Sequence, residues 1–342
     1  MLIDIAPIGR GPDRHSVSNV LELRDLSIRY GSTQVLNSLN LTVGDGEIVA
    51  LLGPSGSGKS TLLNAIAGFL PIFSGEILLA GRNVAMPRHA EPPERRDIAF
   101  VFQDYGLWPH LTAIDTVAYP LRRRGVRPGP ARDQARDILK RLGIGALADR
   151  KPAQLSGGEQ QRVGLARAMA RQAAVYLFDE PTAHLDAPLR GVFLAELAAR
   201  RRESRAAAIY ATHDAAEALG LADRVALLVG GQVIQDGSPQ QLYAEPVSVQ
   251  AARLTGPASL LCGTKGPLLV RPDWVRLGGD RTGVVVDVWF RGSYTDYVLR
   301  TSEGELLLRT AAPPAHERGE EVSWSLDRCW PLPDASFSDT SR

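Results

Sequence analysis

The first part of the chain changes from a strand-like to a helix-like pattern of apolar and polar positions. Residues 20–29 and 36–43 alternate apolar with polar positions and are separated by Gly31, which predicts a small β-layer. From Glu47 the pattern becomes a fully apolar strand, a glycine-rich loop and a helix over residues 59–68. Because a strand, loop and helix in this order are the unit of α/β folds, we predict a parallel central sheet.

The middle of the chain is predicted to be mostly helical. Residues 104–171 favour helices, with an amphipathic segment at 131–142 that carries charge on one face. Two more buried strands are predicted at 174–178 and 207–211, with a helix between them over residues 188–202. The α/β pattern therefore continues beyond a helical insertion.

From about residue 250 the composition becomes rich in strands and turns. The predicted strands are residues 284–290, 297–301, 305–309 and 321–324. We predict a flexible leader at 1–19, an α/β domain at 20–245 and a small all-β domain at 250–335. The end of the chain is expected to be frayed.

Charge and composition exclude several classes of protein. The formal net charge of +1 comes from interleaved acidic and basic residues, so we expect no nucleic-acid partner. The two cysteines, Cys262 and Cys329, are too few for a disulfide framework and are expected to be reduced. The N-terminus lacks the apolar core of a signal peptide, and no apolar run reaches the roughly 20 residues that cross a bilayer. We therefore expect a chain that remains in the cytosol.

The glycine-rich loop has the pattern of a phosphate-binding loop. It comprises Gly53, Pro54, Ser55, Gly56, Ser57, Gly58, Lys59, Ser60 and Thr61. Glycines let backbone N–H groups converge on phosphate oxygens, and the start of the helix adds positive potential. We expect Lys59 to reach the β- and γ-phosphates and the Ser60 hydroxyl to bind Mg²⁺. A phosphate loop alone leaves kinases, GTPases and many other ATPases open.

Two adjacent carboxylates end a later apolar strand. Asp179 and Glu180 follow residues 175–178. Asp179 can hold Mg²⁺ through water, and Glu180 can orient or deprotonate an attacking water. Adjacent strand residues face opposite ways, so we expect a bend at Pro181 to help bring both to the site. An acidic strand end exposed to solvent is the alternative.

A second glycine-containing segment precedes a helix over residues 161–171. Ser156 and Glu159 match a capping box, which alone marks only the start of a helix. A capping box does not need Gly157 and Gly158, whereas a helix N-terminus that closely approaches a phosphate does. The double glycine therefore favours a functional role.

These three motifs together resemble the ATP-binding cassette (ABC) family over residues 20–245. The resemblance implies a P-loop NTPase fold with a mixed, largely parallel sheet and a helical subdomain, and an ATPase that uses ATP and Mg²⁺. It further implies a head-to-tail homodimer, in which one subunit completes the site around ATP held by the phosphate loop of the other. The residues that it assigns to this contact are Ser156, Gly157, Gly158 and Gln160.

Other positions match the family one by one. Tyr30 resembles the aromatic residue that stacks on adenine, although a half-buried strand tyrosine is the alternative. Gln103 resembles the glutamine that binds Mg²⁺, contacts the attacking water and links the site to the membrane partner. His213 resembles the histidine that contacts the γ-phosphate and orients Glu180. These matches predict a complete hydrolytic site.

Two loops are expected to contact other chains. Asp186 matches the loop that crosses the dimer interface, where Ala183 and His184 depart from the serine and asparagine common in the family. The departure leaves the polar contacts of that loop open. Residues 105–111 resemble the groove that receives a short permease helix, with Trp108 either an interface aromatic or a core anchor.

The C-terminal segment is similar, more weakly, to the transport-associated OB-like domain of bacterial importer ATPases, around residues 270–277. It lacks the basic stripe with interleaved aromatics that single-stranded nucleic acid requires. A structural or regulatory dimer contact is the role that we expect.

The sequence thus predicts the ATP-hydrolysing subunit of an importer, peripheral on the cytoplasmic face of the bacterial inner membrane. Its expected partners are integral membrane permease subunits and, indirectly, a solute-binding protein. A soluble cassette ATPase acting on ribosomes or DNA and a non-hydrolysing scaffold are the alternatives, but the scaffold would be favoured by loss of Lys59 or Glu180, and both are present. Sugars, polyamines, sulfate, phosphonates and ferric iron are the candidate solutes, with ferric iron weakly favoured by residues 103–112.

Overall fold

A computed structural model describes most of the chain. The described residues are 19–102, 105–171, 173–182, 190, 191, 193, 195, 197, 206–263 and 266–332. The predicted leader up to residue 18 and the end from residue 333 lie outside the described residues. So does most of the helix predicted over 188–202, of which the described positions are helical.

Strands occur in both halves of the described chain, and seven of them lie after residue 258. They are β1 (Asn19–Tyr30), β2 (Thr33–Gly44), β3 (Ile48–Leu52), β4 (Ser74–Leu79), β5 (Arg82–Met86), β6 (His89–Ala90), β7 (Ile98–Val101), β8 (Val175–Asp179), β9 (Ala207–Thr212), β10 (Arg224–Val229), β11 (Gln232–Gly237), β12 (Ser259–Gly263), β13 (Gly266–Val270), β14 (Val275–Phe290), β15 (Thr295–Thr301), β16 (Gly304–Thr310), β17 (Glu321–Leu326) and β18 (Trp330–Pro331).

The helices whose two ends are both described are short or of medium length. They are α1 (Lys59–Ala67), α2 (Ala113–Arg123), α3 (Pro128–Arg141), α4 (Gly157–Ala170), α5 (Ala215–Leu221), α6 (Pro239–Ala244) and α7 (Val249–Thr255). Side chains of Thr112, Ser156, Asp214, Ser238 and Ser248 cap the starts of α2, α4, α5, α6 and α7. Within the described residues, no helix has the length and apolar character needed to span a membrane.

The central sheet has six strands in the order β11-β10-β3-β9-β8-β7. All neighbours pair in parallel except β10 and β11, which form an antiparallel hairpin. The predicted, largely parallel sheet is therefore confirmed. The predicted β-layer is an antiparallel sheet in the order β2-β1-β4-β5-β6, whose last three strands the sequence pattern did not predict.

The central sheet is buried on both faces, which explains why its strands are continuously apolar. Val49 and Leu51 of β3 pack with Leu62 and other residues of α1 in the core between the two sheets. On the opposite face, Tyr176 and Phe178 of β8 pack with residues of α2, α3 and α4. Helix α1 is thus fixed between two sheets, at the place where the phosphate loop ends.

The C-terminal part confirms the predicted all-β domain, with sheets in the orders β12-β13-β18 and β16-β15-β14-β17 around Trp324. The strand predicted at 284–290 is only the second half of β14. The pairing of β14 with β17 shifts register between Leu277 and Arg281, where Gly278 and Gly279 have φ of 86° and 134°. The glycines interrupt the apolar pattern but not the strand, because they form a bulge.

A buried arginine joins the two parts of the chain. Arg271, which is fully buried, donates hydrogen bonds to the carbonyl oxygens of Tyr243, Ala252 and Gly256 at 2.9–3.0 Å. Ala252 of α7 belongs to the C-terminal core, whereas its neighbour Ala251 packs with α5 and α6. Helix α7 therefore contributes to both cores, and the boundary predicted near residue 250 stays a prediction.

Candidate functional site

Parallel pairing brings three strand ends to one edge of the central sheet. Leu52 at the end of β3 pairs with Thr212 at the end of β9, and Asp179 at the end of β8 pairs with Ala211. The phosphate loop, the two carboxylates and His213 leave the sheet immediately beyond these residues. Such an edge is where open α/β sheets bind ligands.

The phosphate loop has a shape that only glycine permits at several positions. A β-carbon at Gly53 would lie 2.1 Å from the carbonyl oxygen of Leu228, and Gly56 and Gly58 have φ of 79° and 104°. Within the described residues, the buried Ser57 hydroxyl has no hydrogen-bond partner. A close turn with an unused buried hydroxyl fits an anion such as phosphate.

Lys59 is the buried cation of this loop. Its Nζ donates to the carbonyl oxygens of Gly53 at 2.8 Å and Pro54 at 3.0 Å, and lies 3.9 Å from Oε1 of Glu180. Burial lowers the pKa of Lys59, an effect that Glu180 and Asp179 oppose. The ammonium group is therefore held beside the loop, where a phosphate charge would stabilise it.

Ser60 and Asp179 form a set of hard oxygen ligands. The Ser60 hydroxyl donates to Oδ1 of Asp179 at 3.0 Å across the gap between α1 and β8. Burial raises the pKa of Asp179, and the hydrogen bond from Ser60 works against that shift. One carboxylate and one hydroxyl beside a phosphate loop fit Mg²⁺, which keeps several waters and takes its other ligands from phosphate.

Glu180 turns back toward the loop. Its φ is 45°, in the left-handed region, and its backbone N–H donates to the carbonyl oxygen of Ala211 at 3.0 Å. Its Oε2 lies 3.2 Å from Nδ1 of His213, whose side chain is 59% exposed. The bend expected at Pro181 thus occurs one residue earlier, at a backbone conformation that costs about 1–3 kcal/mol.

The segment before α4 has the predicted capping box. The Ser156 hydroxyl accepts from the Glu159 N–H at 3.4 Å, and Glu159 Oε2 accepts from the Ser156 N–H at 2.7 Å, which lowers the pKa of Glu159. A β-carbon at Gly157 would lie 3.6 Å from the hydroxyl of Tyr105, an ordinary contact. The fold of this subunit therefore does not itself require glycine at position 157.

Helix α4 contacts the carboxylate segment through a residue that sequence analysis did not single out. The Gln161 side-chain amide is buried and donates to the carbonyl oxygen of Pro181. The side-chain amide of the neighbouring Gln160 donates to the carbonyl oxygens of Pro152 and Leu155 at 3.0 and 3.1 Å, and its predicted contact with nucleotide stays a prediction. Its amide stabilises the turn before α4.

The remaining predicted positions differ in how far the structure describes them. Tyr30 ends β1 with half of its side chain exposed, beside the turn at Gly31, so its ring is accessible for stacking. Gln103 and Asp186 lie outside the described residues, as do Ala183 and His184.

An aromatic groove of about 640 Å³ is lined by residues that follow α1 and β7 and by residues of α2 and α4. The rings of Phe69 and Phe102 are 5.5 Å apart, and those of Trp108 and Tyr119 are 4.8 Å apart. The guanidinium of Arg167 in α4 lies 5.3 Å from the ring of Trp108. Trp108 thus lines this groove and contacts Arg167 of α4.

Similarity to known proteins decides the family. The family model described as ABC transporter matches residues 36–183, and that described as TOBE domain matches residues 268–332. An uncharacterized ABC transporter ATP-binding protein of Escherichia coli (strain K12) is 36% identical over 91% of this chain and 98% of its own. The chain belongs to the ABC transporter family of ATP-binding proteins. The predicted OB-like domain of this ABC protein is its TOBE domain.

Two further relatives bear on the activity of this ABC protein. An sn-glycerol-3-phosphate import ATP-binding protein of Ralstonia nicotianae is 44% identical over 69% of this chain and 64% of its own. A solved dimeric ATP-binding cassette in a post-hydrolysis state, bound to ADP and Pi, is 31% identical with a TM-score of 0.59, over 64% of this chain and 98% of its own. This ABC protein is an ATPase of the importer type.

The buried charge of Asp179 generates a prediction about stability and pH. Because burial raises its pKa, ionised Asp179 destabilises the nucleotide-free fold at neutral pH. This penalty disappears as the pH falls through the raised pKa to the ordinary one. We expect Asp179→Asn to weaken MgATP binding about tenfold without lowering the melting temperature of the nucleotide-free protein. Thermal unfolding with and without MgATP measures both effects.

Asp133→Asn is the matched control, because Asp133 lies on the exposed face of α3. It should leave MgATP binding and the melting temperature unchanged. A normal MgATP-induced rise in the melting temperature of Asp179→Asn would exclude the assigned metal-binding role.

Proposed function

We propose that this ABC ATPase hydrolyses MgATP between two head-to-tail copies of the chain and thereby drives solute import through a separate membrane permease. The observation that carries the proposal is the convergence of Lys59, Ser60, Asp179, Glu180 and His213 at one sheet edge. Their contacts are 3.0 Å between Ser60 and Asp179, 3.2 Å between His213 and Glu180, and 3.9 Å between Lys59 and Glu180.

Each of these side chains has a role that its chemistry suits. Lys59 and the backbone N–H groups of the loop bind the phosphates, and Ser60 and Asp179 hold Mg²⁺. Glu180 orients the attacking water and accepts its proton, while His213 positions that carboxylate and contacts the γ-phosphate. Tyr30 stacks on adenine, and Gln103 connects the site with the permease.

The exposed start of α4 supports a second copy as the missing part of the site. Ser156 and Gly157 at the start of α4 are exposed, and the N-terminus of a helix favours negative charge nearby. Gly157 is not required by contacts within its own subunit, so close approach of an external group explains it better. The dimeric state of the related solved cassette agrees with this arrangement.

The aromatic groove supports contact with a permease helix. Phe69 and Tyr119 at the groove are about half exposed, which is unusual for large apolar side chains. Exposed aromatics in a concave surface are typical of the anchors of protein interfaces. We place this surface against the membrane subunit, with the ATPase peripheral on the cytoplasmic face of the inner membrane.

The solute is proposed only as a small polar or ionic nutrient. The relative from Ralstonia nicotianae is named for import of sn-glycerol-3-phosphate. The preference for ferric iron rests on residues 103–112, of which the first two lie outside the described residues. Stimulation of ATP hydrolysis by candidate solutes, in the complex reconstituted with its permease and binding protein, identifies the solute.

We expect Glu180→Gln to lower ATP turnover at least about a thousandfold and to accumulate an ATP-bound dimer. The amide cannot accept a proton from water, whereas Lys59 and the phosphate loop still bind nucleotide. Size-exclusion chromatography with MgATP and a phosphate-release assay measure the two effects. Glu76→Gln, a surface change beside Arg24, is the control and should behave like the parent. Parental hydrolysis by Glu180→Gln would refute the role of Glu180.

We expect Ser156→Arg to abolish hydrolysis while leaving ATP binding to the isolated subunit intact, because Ser156 acts on nucleotide held by the partner. Mixing Ser156→Arg with Lys59→Ala subunits should produce heterodimers in which both lesions occupy one site and the other site is unmodified. Ser238→Arg, at the exposed cap of α6, is the control. Loss of ATP binding by the Ser156→Arg subunit itself would contradict the head-to-tail arrangement.

We expect Phe69→Ala to weaken association with the permease by about 2 kcal/mol, or roughly 30-fold, without changing ATP hydrolysis by the isolated subunit. Phe73→Ala is the matched control, since Phe73 is equally exposed but packs on Arg29 outside the groove. Co-purification with the membrane subunits and their binding affinity measure the effect. Equal retention of the two variants would rule out the groove as the docking site.

A further inference from the structure

One buried carboxylate beneath the hydrolytic site accepts hydrogen bonds from three hydroxyls. Glu217 lies in the first turn of α5, with its side chain 5% exposed. Its Oε1 accepts from Thr182 at 2.7 Å, and its Oε2 accepts from Tyr210 at 2.8 Å and from Thr212 at 3.1 Å. A buried carboxylate is tolerated only with such donors.

A cation completes this cluster. The Nε of Arg190 lies 3.3 Å from Oε1 of Glu217, and another guanidinium nitrogen donates to Asp214 at 3.3 Å. Asp214 in turn accepts from the backbone N–H of Glu217. Burial raises the pKa of Tyr210, which keeps its hydroxyl protonated as a donor. The Glu217 carboxylate therefore has three hydroxyl donors and a nearby guanidinium group, which hold it in one position.

The donors come from the segments that carry the two hydrolytic side chains. Thr182 lies two residues after Glu180, and Thr212 directly precedes His213. Glu180 and His213 meet at 3.2 Å, although Glu180 has strained backbone and the His213 side chain is mostly exposed. Strand pairing holds the backbone of the two segments together through the hydrogen bond from Glu180 to Ala211. Both segments are also attached to Glu217, through Thr182 and Thr212.

We propose that Glu217 is a positioning residue for hydrolysis, which holds Glu180 and His213 in register by binding the backbone segments beside them. The proposal rests on the functions proposed above for Glu180 and His213. Glu217 acts through Thr182 and Thr212 and contacts neither the substrate nor the reacting water. The loss of such a residue affects turnover more than nucleotide binding, because the phosphate loop connects β3 with α1 and, within the described residues, forms no hydrogen bond with Glu217.

The first test compares Glu217→Gln with the parent, using the full-length chain. A glutamine amide offers two donors to hydroxyls that need acceptors, so the cluster must rearrange. We expect kcat for ATP hydrolysis to fall about 10- to 100-fold, while KM and the Kd for ATP change less than about threefold. A fall in affinity equal to the fall in kcat, or an unchanged kcat, would overturn the proposal.

A milder pair of variants decides the question if Glu217→Gln does not fold. Tyr210→Phe removes one hydroxyl from the cluster. Tyr176→Phe is the comparison: Tyr176 lies on the neighbouring strand β8, is also buried, and donates to the carbonyl oxygen of Arg171 at 2.6 Å, outside the cluster. We expect Tyr210→Phe alone to lower kcat, by about three- to tenfold. Equal effects of the two variants, or no effect of either, would mean that the cluster is only structural.

Two comparisons complete the experiment. Where Glu217→Gln folds, combining it with Tyr210→Phe should lower kcat less than the product of the separate effects, since both act in one cluster; full additivity would count against the proposal. Glu180→Gln distinguishes an error in the proposed function of the site from an error in the positioning role of Glu217. If it hydrolyses ATP normally, the proposed function of the site fails, whereas if it is inactive and Glu217→Gln is not impaired, only the positioning role fails.

Discussion

The parallel pairing of β3, β9 and β8 is the constraint on which the rest of the site depends. This pairing puts Leu52 beside Thr212 and Ala211 beside Asp179, so three loops leave the sheet at one level. Ser60 and Asp179, which are far apart in the sequence, come within hydrogen-bonding distance because β3, which precedes Ser60, and β8, which ends at Asp179, both pair with β9. A shift of one strand by one residue would move Asp179 to the opposite face and separate it from Ser60.

Without bound nucleotide, the groups at this edge of the sheet destabilise the folded chain. Lys59 and Asp179 are both buried, which lowers the pKa of the first and raises that of the second. Glu180 adds a left-handed backbone, held by the hydrogen bond to Ala211. Phosphate and Mg²⁺ would neutralise these charges, so part of the ligand-binding energy compensates a destabilised site.

Helix α4 connects three surfaces that have different partners. Its N-terminus, at Ser156, is exposed toward the proposed second subunit. One turn later Gln161 donates to Pro181, beside the carboxylates of its own subunit, and farther along Arg167 packs under Trp108 in the aromatic groove. Helix α4 thus carries its exposed N-terminus, the contact with the carboxylate segment and the contact with the groove within one element. Glu217 provides the corresponding connection between the strands β8 and β9.

The sequence by itself determined the phosphate loop, the carboxylate pair and the parallel sheet, because glycine dihedrals, apolar runs and caps are properties of neighbouring residues. Tertiary structure decided the continuity of β14 through its glycines, the bend at Glu180 and the hydrogen bonds from the Gln160 amide to Pro152 and Leu155. Thr182 meets Glu217 from 35 positions away. Which hydroxyls satisfy a buried carboxylate depends on how strands and helices pack, and no local pattern of residues encodes that packing.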